Sequence, residues 1–250
     1  KLIKTDKNER HYIDGLKERN TLLYAGTKYH LSQWYYRSKI DYLFVDEAGQ
    51  ISIADLIALG GVAKNIILVG DQLQLGQPTQ GSHPGLSNNS VLDYLLQGKD
   101  TVEDNRGIFL SRTYRMHPNI NSFISENFYE NKLLTNPENK NRKIDFPKNF
   151  FLNNEGIHTI LMDHEDCTQT SEQEFKKIDE IIKKLIGRKF TDADNKERPL
   201  TIEDFLIVSP YNAQVNFLLA RLPEGTRCGT VDLAQGREAP VSIISMTSSD

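Results

Sequence analysis

Residues 41–50 read DYLFVDEAGQ, and in this stretch a run of apolar residues ends in two adjacent carboxylates, Asp46 and Glu47. The run does not alternate with polar residues, which is typical of a strand buried on both faces of a parallel sheet. In an open α/β sheet, ligands bind beyond the carboxyl ends of the strands. We therefore predict a buried strand at 41–45 that carries both carboxylates to a binding edge.

Strand and helix patterns alternate on both sides of this stretch. Further strands are predicted at 21–27, 65–70, 107–115, 157–163, 204–211 and 239–247, and helices at 52–60, 90–98, 119–134, 171–189 and 213–222. The alternation predicts an α/β protein with mainly parallel sheets. Because residues 99–106 are charged and poor in apolar side chains, we predict two domains, at 1–105 and 106–250.

Local patterns specify some helix ends. Ser90 is expected to cap the helix that follows it, and Gly60 and Gly61 are expected to end the helix at 52–60. The helix at 171–189 is strongly amphipathic. Its apolar face is formed by Ile178, Ile181, Ile182, Leu185 and Ile186.

Composition narrows the possible classes of protein. The 250 residues are 38% hydrophobic and 26% charged, as in ordinary globular domains. We expect no membrane span, because no apolar run approaches the ~20 residues required, and no signal peptide in the polar N-terminal stretch. Cys167 and Cys228 fit no metal-binding spacing and are predicted to be free thiols in a reducing cytoplasm. The net charge of −4 gives no globally basic surface, although a local basic groove could still bind nucleic acid.

The two carboxylates have a functional and a structural interpretation. Asp46 would coordinate Mg²⁺, which keeps much of its hydration shell and is often held through water. Glu47 would then orient the water that attacks the γ-phosphate of a nucleotide. Alternatively, one of the two side chains simply caps the helix that follows.

Two further stretches carry polar side chains suited to a nucleotide. Gln74 follows the strand at 65–70 and could hydrogen-bond the γ-phosphate, although the stretch is also typical of an ordinary turn. Gly236 would let the backbone approach a phosphate closely. Glu238 would accept hydrogen bonds from a ribose hydroxyl, but QGRE in isolation is only a loop sequence.

Arg115 ends the first strand predicted for the second domain. Its planar guanidinium suits phosphate oxygens, and an Arg supplied across a cleft neutralises charge that develops during phosphoryl transfer. Tyr114 offers a ring face for a base. We favour this function for Arg115 over a surface ion pair, whereas for His117 we favour a turn or cap residue beside Pro118.

Together these stretches resemble the superfamily 1 helicases, in the branch that includes RecD and the RNA helicase of nonsense-mediated decay. The matching strings are AGTKYHLS (25–32), DEAG (46–49, the Walker B motif), GDQLQLGQP (70–78), TYRMHP (113–118), SPYNAQV (209–215) and VDLAQGRE (231–238). The resemblance implies two RecA-like domains, the first of them incomplete, and ATP hydrolysis assisted by Mg²⁺. The sequence around LFVDEAGQIS is also similar to the sequences of helicase modules fused to RecB-like nucleases.

The resemblance assigns roles residue by residue. It implies that Asp46 coordinates the metal, that the catalytic residues are Glu47, Gln74 and Arg115, and that the nucleotide is contacted by Asp71, Tyr114, Gly236 and Glu238. In this assignment Arg115 is an arginine finger and Tyr114 stacks on adenine. A single-strand track is implied at Thr27, His83, Ser209, Pro210, Asn212 and Thr230, although His83 fits an ordinary loop residue equally well. Such tracks bind through backbone contacts and stacking, without sequence preference.

Two helicase motifs are missing from these residues. They contain no GK[ST] phosphate loop and no motif VI. We expect the chain to be a fragment of a larger ATP-driven helicase rather than a naturally degenerate relative, and to hydrolyse nucleotide negligibly by itself. The parent is expected to move along single-stranded nucleic acid, DNA rather than RNA, with a nuclease domain as one possible neighbour in the same chain.

Two other functions stay open at this point. A nucleotidase or nuclease would use the Asp46–Glu47 pair for its own metal chemistry, but no second acidic cluster follows a predicted strand. A degenerate helicase-like module would bind nucleic acid or a partner without catalysis. Replacement of Arg115 separates these functions, because it should abolish turnover by a motor and change little in a binding module.

Overall fold

The computed structural model describes residues 2–3, 23–33, 40–76, 84–87, 89–152 and 155–249. Contacts within the chain divide it into two units, Lys1–Arg106 and Gly107–Asp250, so the division lies next to the boundary predicted after residue 105. Both units combine helices with parallel strands. The predicted α/β class with mainly parallel sheets is confirmed.

The first unit contains parallel strand pairs. β1 (Leu2–Ile3) pairs with β2 (Leu23–Tyr24), and β3 (Ile40–Val45) pairs with β4 (Ala63–Leu68). The described helices of this unit are α1 (Lys28–Leu31), α2 (Ile53–Leu59) and α3 (Val91–Leu96), and a short 3-10 helix spans Ala48–Gln50. The strands of β3 and β4 run in register, so they end at the same edge.

The prediction that β3 is buried on both faces is wrong. Leu43 and Val45 are buried, whereas Tyr42 and Phe44 are 59% and 65% exposed. The buried face belongs to a core cluster that also contains Leu31, Ala48, Leu59, Val62 and Val91. An unbroken apolar run allows burial on either face, but the elements that pack against the sheet decide which face is covered.

Serine caps define the start of α2 and α3. The Ser52 hydroxyl accepts a hydrogen bond from the Asp55 amide, and the Ser90 hydroxyl accepts one from the Asp93 amide, both at 3.1 Å. Each bond satisfies an amide that has no partner within the helix. The cap predicted at Ser90 is confirmed, and α2 ends at Gly60 as predicted.

The second unit combines small sheets with a parallel sheet at its core. β5 (Arg112–Thr113) and β6 (Leu134–Thr135) are parallel, whereas β7 (Lys143–Ile144), β8 (Lys189–Thr191) and β9 (Glu197–Pro199) are antiparallel. In the parallel sheet, β10 (Phe205–Val208) lies between β11 (Arg227–Gly229) and β12 (Val241–Ile244). The described helices are α4 (Pro118–Phe128), α5 (Glu172–Leu185), α6 (Asn212–Leu219) and α7 (Val231–Ala234), with 3-10 helices at Pro137–Asn141 and Ile202–Asp204.

Several boundaries in the second unit differ from the prediction. The pattern at 107–115 forms only β5, and Ile108 is 87% exposed. The pattern at 157–163 forms no strand, and Leu161 is 89% exposed. A strand needs a hydrogen-bonding partner as well as an apolar pattern. The predicted helix 119–134 stops at Phe128, because residues 134–135 pair with β5 instead.

The amphipathic helix α5 packs on the parallel sheet. The buried cluster of this unit contains Ile178, Ile181, Ile182 and Leu185 of α5, Phe205 and Ile207 of β10, and Leu218 of α6. Ile186, which was predicted on the same face, is exposed because the helix ends at Leu185. None of the helices in the described ranges has the length and apolar character needed to cross a membrane.

A bidentate ion pair joins β9 to the start of β10. Arg198 donates from Nη1 and Nη2 to the two carboxylate oxygens of Asp204, at 2.6 and 2.7 Å. Asp204 also accepts a hydrogen bond from the Thr201 amide at 2.8 Å. The hydrogen bonds from Arg198 are the main reason that the pKa of Asp204 lies below its usual value, and they outweigh the opposing effect of burial.

We expect Asp204→Asn to lower the free energy of unfolding by about 1–3 kcal/mol, because it leaves Arg198 without its ionic partner. The pKa of Asp204 is lower in the folded than in the unfolded state. The wild type therefore has this stabilisation above the unfolded pKa of about 4 and loses it as the pH falls through the folded pKa. The variant should lack this part of the acid sensitivity, which urea unfolding between about pH 7 and pH 3 measures.

Glu197→Gln is the matched control, because Glu197 forms an exposed ion pair with Lys189 at 3.0 Å in the same hairpin. Exposed pairs contribute little, so its effect should stay below about 0.5 kcal/mol. Equal losses of stability in the two variants would contradict a special role for the bidentate pair.

Candidate functional site

The parallel register of β3 and β4 brings two chain segments to one edge. Beyond the strands the hydrogen bonds continue: the Val69 amide donates to the Val45 carbonyl, and the Ala48 amide donates to the Val69 carbonyl, both at 2.9 Å. Residues 46–49 and 69–71 therefore lie side by side. The carboxyl ends of both strands present their following residues at this edge, as expected for a ligand site in a parallel sheet.

Two glycines allow these segments to touch. A Cβ at Gly49 would lie 2.5 Å from the Asp71 carbonyl oxygen, and a Cβ at Gly70 would lie 2.6 Å from the Ala48 nitrogen. Both of these neighbouring atoms belong to the backbone, so they cannot make room for a methyl group by a change of rotamer. The close approach of the two backbones therefore requires glycine at both positions.

Asp46 and Glu47 are exposed at this edge. The Asp46 Oδ1 accepts a hydrogen bond from the Glu47 amide at 3.0 Å, and Glu47 has left-handed backbone with φ of 52°. Positive φ is uncommon for residues other than glycine and is found at functional sites. Among the described residues, Glu47 makes no side-chain capping bond, and Ser52 caps α2, so the geometry does not support the capping interpretation.

Asp71 and Gln74 form a connected pair beside the carboxylates. One oxygen of Asp71 accepts a hydrogen bond from the Leu73 amide at 3.1 Å, and the other accepts one from Gln74 Nε2 at 3.1 Å. The first bond makes the tight turn that was weighed as an alternative for this stretch. The second bond holds the Gln74 amide near the edge that carries Asp46 and Glu47, so turn and site are compatible.

The donor set at this edge fits Mg²⁺. Asp46 offers one exposed carboxylate, and Mg²⁺ is usually bound by one or two carboxylates together with water and phosphate oxygens. Within the described ranges no group of three or more His, Cys, Asp or Glu side chains is placed to hold a metal by itself. A metal at Asp46 would therefore take most of its remaining ligands from water and from a bound phosphate.

In the second unit, Arg115 and Glu238 form an ion pair. The Arg115 Nε donates to Glu238 Oε2 at 3.0 Å, and both side chains are more than half exposed. Arg227 Nη1 donates to the Glu238 carbonyl oxygen at 3.2 Å and fixes the backbone beside the pair. The surface ion pair weighed as an alternative for Arg115 is therefore present, and its partner is a residue predicted to contact the same nucleotide.

Tyr114 and Gly236 lie next to this pair in sequence. Tyr114 is 68% exposed, so its ring can be reached by a base. Gly236 has φ of 71°, a conformation that favours glycine. No described atom lies within 4 Å of its Cβ position, so the loop is open on that side.

The predicted nucleotide and nucleic-acid residues of the second unit lie at opposite ends of the parallel sheet. Glu238 precedes β12, whereas Ser209 follows β10 and Thr230 follows β11. The strands are parallel, so these positions are separated by the length of a short strand, roughly 10 Å at ~3.3 Å per residue. The chain from Thr230 to Glu238, which begins with the short helix α7, connects the two ends.

The predicted nucleic-acid residues of this unit differ in exposure. Pro210 and Asn212 are exposed, and Thr230 is half-buried at the start of α7. Ser209 is fully buried, and its hydroxyl lies 3.3 Å from the Thr247 hydroxyl. Its side chain therefore packs beneath the loop, and the expectation that Ser209 lines the track stays a prediction.

Three other predicted residues have simpler outcomes. Thr27 is exposed and caps α1, since its hydroxyl accepts a hydrogen bond from the His30 amide at 3.3 Å. His117 caps α4, because its Nδ1 accepts one from the Asn119 amide at 3.2 Å, so the structural interpretation favoured for it is confirmed. His83 lies outside the described residues.

The sequence did not reveal a buried polar group at the Ser209 end of the sheet. Its central residue is Glu174, which accepts hydrogen bonds from Ser245 and Thr247. Ser171 and Glu174 have the spacing of a helix capping box. That spacing is the available signal, but it predicts a local contact rather than bonds to residues 71 to 73 positions away.

Comparison with protein-family profiles shows which family the chain belongs to. The profile of the AAA domain family matches residues 88–250, which is more than half of the chain. The chain belongs to the AAA domain family. Together with its relatives, this match identifies the chain as a superfamily 1 helicase module.

Two of three relatives of this AAA domain protein described here are named as helicases. The chain is 29% identical to the DNA polymerase alpha-associated DNA helicase A of Schizosaccharomyces pombe, over 85% of the chain and 33% of the relative. It is 28% identical to the DNA replication ATP-dependent helicase/nuclease DNA2 of Gallus gallus, over 84% and 20%. It is 28% identical to the regulator of nonsense transcripts 1 homolog of Drosophila melanogaster, over 86% and 18%. The chain thus spans no more than a third of the length of these relatives.

We expect Gly49→Ala to destabilise the first unit by about 1–3 kcal/mol, because the new methyl group would overlap the Asp71 carbonyl and force the strand-end segments apart. Gly76→Ala is the control, because no described atom lies within 4 Å of its Cβ position. Urea unfolding measures the change in stability. Hydrogen exchange at residues 40–76 shows whether the loss of protection is local to this edge. Equal stability of the two variants would contradict the required backbone contact.

Proposed function

We propose that these residues form part of an ATP-driven helicase that moves along single-stranded nucleic acid. The family relationship supports a helicase-type function, and the relatives named above include DNA helicases. The observation that carries the assignment of roles is the Arg115–Glu238 ion pair. It joins two stretches 123 positions apart that were each predicted to contact one nucleotide.

In this proposal, the edge of β3 and β4 receives the terminal phosphate. Asp46 coordinates Mg²⁺, which when bound neutralises charge on the phosphate oxygens. Glu47 orients the attacking water and accepts its proton. Gln74 donates its amide to the γ-phosphate, and Asp71 keeps that amide in place through the hydrogen bond of 3.1 Å.

Arg115 stabilises the charge on the transferring phosphoryl group. An exposed ion pair is worth at most about 1 kcal/mol, so the Glu238 carboxylate is a weak competitor for the Arg115 guanidinium. A phosphate offers two or three oxygens to the same planar donor group. Nucleotide binding would therefore exchange Glu238 for phosphate on Arg115 and leave the Glu238 carboxylate for a ribose hydroxyl.

Tyr114 and Gly236 complete the nucleotide contacts of the second unit. The exposed ring of Tyr114 stacks on the adenine. The open backbone at Gly236 lets a phosphate approach its amide. At the opposite end of the sheet, the strand-binding end, Pro210, Asn212 and Thr230 contact single-stranded nucleic acid. In the first unit, Thr27 is proposed as a further nucleic-acid contact.

The activity of the chain by itself is expected to be very low. The 250 residues contain no GK[ST] loop, whose amides and Lys would otherwise balance the charge of the β- and γ-phosphates. We propose weak nucleotide binding and negligible hydrolysis by this chain, and ATP-driven movement by the complete gene product.

We propose DNA as the preferred strand, in a reducing cytoplasm. Two of the relatives above are named for DNA rather than RNA. The name of one of them joins helicase with nuclease, which supports a nuclease domain as a neighbour in the gene product. Cys167 and Cys228 are free cysteines, and free thiols are typical of proteins in reducing compartments.

Arg115→Ala in the complete gene product is expected to lower ATP turnover by about 10³-fold or more, because an arginine finger contributes this much to phosphoryl transfer. Binding of a single-stranded oligonucleotide should stay within about threefold, since Arg115 lies at the other end of the sheet from the strand-binding end. Steady-state ATPase assays and fluorescence anisotropy measure the two quantities.

Arg112→Ala is the matched control, because Arg112 is exposed in β5, three residues before Arg115, and carries the same charge. Its ATP turnover should remain near that of the wild type. Equal turnover in the Arg115 and Arg112 variants would exclude the arginine finger and favour a non-catalytic binding module.

Strand preference is tested with the 250-residue chain. We expect an oligothymidine to bind more tightly than the oligouridine of the same length, and tighter than a duplex. Affinity should fall as salt rises, because phosphate contacts release counterions. Equal affinity for the two single strands would remove the preference for DNA, and stronger binding of the duplex would contradict a single-strand track.

A further inference from the structure

A group of buried polar side chains lies at the strand-binding end of the second unit, and the roles above do not explain it. Its members are Ser171, Glu174, Ser209, Gln214, Ser245 and Thr247, and all of them are buried. We refer to this group as the buried polar cluster. It joins the start of α5, the loop after β10, the start of α6 and the chain after β12.

Glu174 is the charged residue of the cluster. It is 8% exposed, and its Oε1 accepts a hydrogen bond from the Thr247 amide at 2.8 Å, while its Oε2 accepts one from the Ser245 hydroxyl. His164 Nε2 lies 3.6 Å from Oε1. A buried carboxylate is tolerated only when such bonds compensate for lost hydration. Both oxygens of Glu174 thus hold the chain that follows β12.

Gln214 of α6 connects this chain to the start of α5. Its Nε2 donates to the Ser245 hydroxyl at 3.0 Å, and its Oε1 accepts a hydrogen bond from the Ser171 amide at 3.0 Å. The hydroxyls of Ser209 and Thr247 lie 3.3 Å apart. The chain after β12 is therefore bonded to α5 on one side and to the loop of Pro210 and Asn212 on the other.

Thr247 has an unusual backbone within this cluster. Its φ is 72°, and a β-branched residue at positive φ is a genuine outlier. Such a conformation persists only where the surrounding structure holds it, and it is found at functional sites. The hydrogen bond from the Thr247 amide to Glu174 is a direct restraint on this conformation.

We propose that Glu174 is a positioning residue, whose buried carboxylate fixes the chain at 245–247 against the loop at 209–212 and so sets the shape of the strand-binding end. This inference rests on the proposed function, because it assumes that the loop contacts nucleic acid. Glu174 acts through the loop and does not touch the strand. Without its carboxylate, the contacts at Pro210 and Asn212 lose their fixed spacing.

The test compares two substitutions in the 250-residue chain, with a labelled oligothymidine of about 20 nucleotides as the probe. Glu174→Ala removes both hydrogen-bond acceptors and is expected to weaken binding about tenfold. Glu174→Gln keeps the shape and can still accept from the Thr247 amide, so it is expected to weaken binding less than about threefold. Both affinities are measured by fluorescence anisotropy at one salt concentration.

Glu172→Ala is the matched control. Glu172 lies in the same turn of α5, but it is exposed and 3.5 Å from Arg221. Removing a negative charge by itself strengthens binding to a polyanion, so this control should bind as tightly as the wild type or more tightly. Weaker binding by Glu174→Ala would have the opposite sign and could not arise from charge.

Hydrogen exchange separates positioning from general loss of stability. In Glu174→Ala, the amides of 209–214 and 245–249 should lose protection about tenfold, while those of β10 should change less than about twofold. A folded Glu174→Ala variant that binds as well as Glu172→Ala would overturn the inference, and so would unchanged exchange at 245–249.

Two further outcomes are also decisive. If Glu174→Ala does not fold, Ser245→Ala is used in its place, because this substitution removes one hydrogen-bond donor to Glu174. It is expected to weaken binding of the probe about threefold. Unchanged binding by Ser245→Ala would overturn the inference. If the wild type does not bind the probe, the nucleic-acid part of the proposed function fails. The exchange comparison at 209–214 and 245–249 then decides alone whether Glu174 positions the two segments.

Discussion

Parallel pairing of short strands is the constraint on which both units depend. In the first unit, the register of β3 and β4 lets the segments after each strand touch, and glycines at positions 49 and 70 make that contact possible. In the second unit, the same geometry forces the chain to return to the starting end before each new strand. Residues far apart in sequence therefore share an end of the sheet, as Ser209 and Ser245 do.

The local sequence predicted individual strands and helix starts well. It predicted poorly which of their faces are buried and which strands they pair with. DYLFV specifies the β3 strand and its polar end, and Ser90 specifies the start of α3, because these features depend on neighbouring residues. The burial of Tyr42 and Phe44 was predicted wrongly, because covering a sheet face depends on other elements. The strands expected at 107–115 and 157–163 are short or absent for a related reason: an apolar pattern does not specify a pairing partner.

The site shows the same division between local and long-range information. Motif strings assigned Arg115 and Glu238 to one ligand, and the structure places the two side chains in contact. The burial of Ser209 and the central position of Glu174 could not be predicted in this way. Both depend on hydrogen bonds from the chain after β12, and the spacing of Ser171 and Glu174 suggests only a helix cap.

The two ends of the β10–β12 sheet differ in how their charges are held. The Arg115–Glu238 pair is exposed and contributes little free energy, so an incoming phosphate can displace the carboxylate at small cost. The Glu174 carboxylate is buried with both oxygens bonded, and no ligand can replace those bonds without leaving a buried charge unpaired. Under the proposed function, the first end is suited to changing partners during a nucleotide cycle, whereas the other end keeps a fixed shape. The proposed motor would use both properties, because the exchange of partners takes place at one end while the nucleic-acid contacts at the other end keep their spacing.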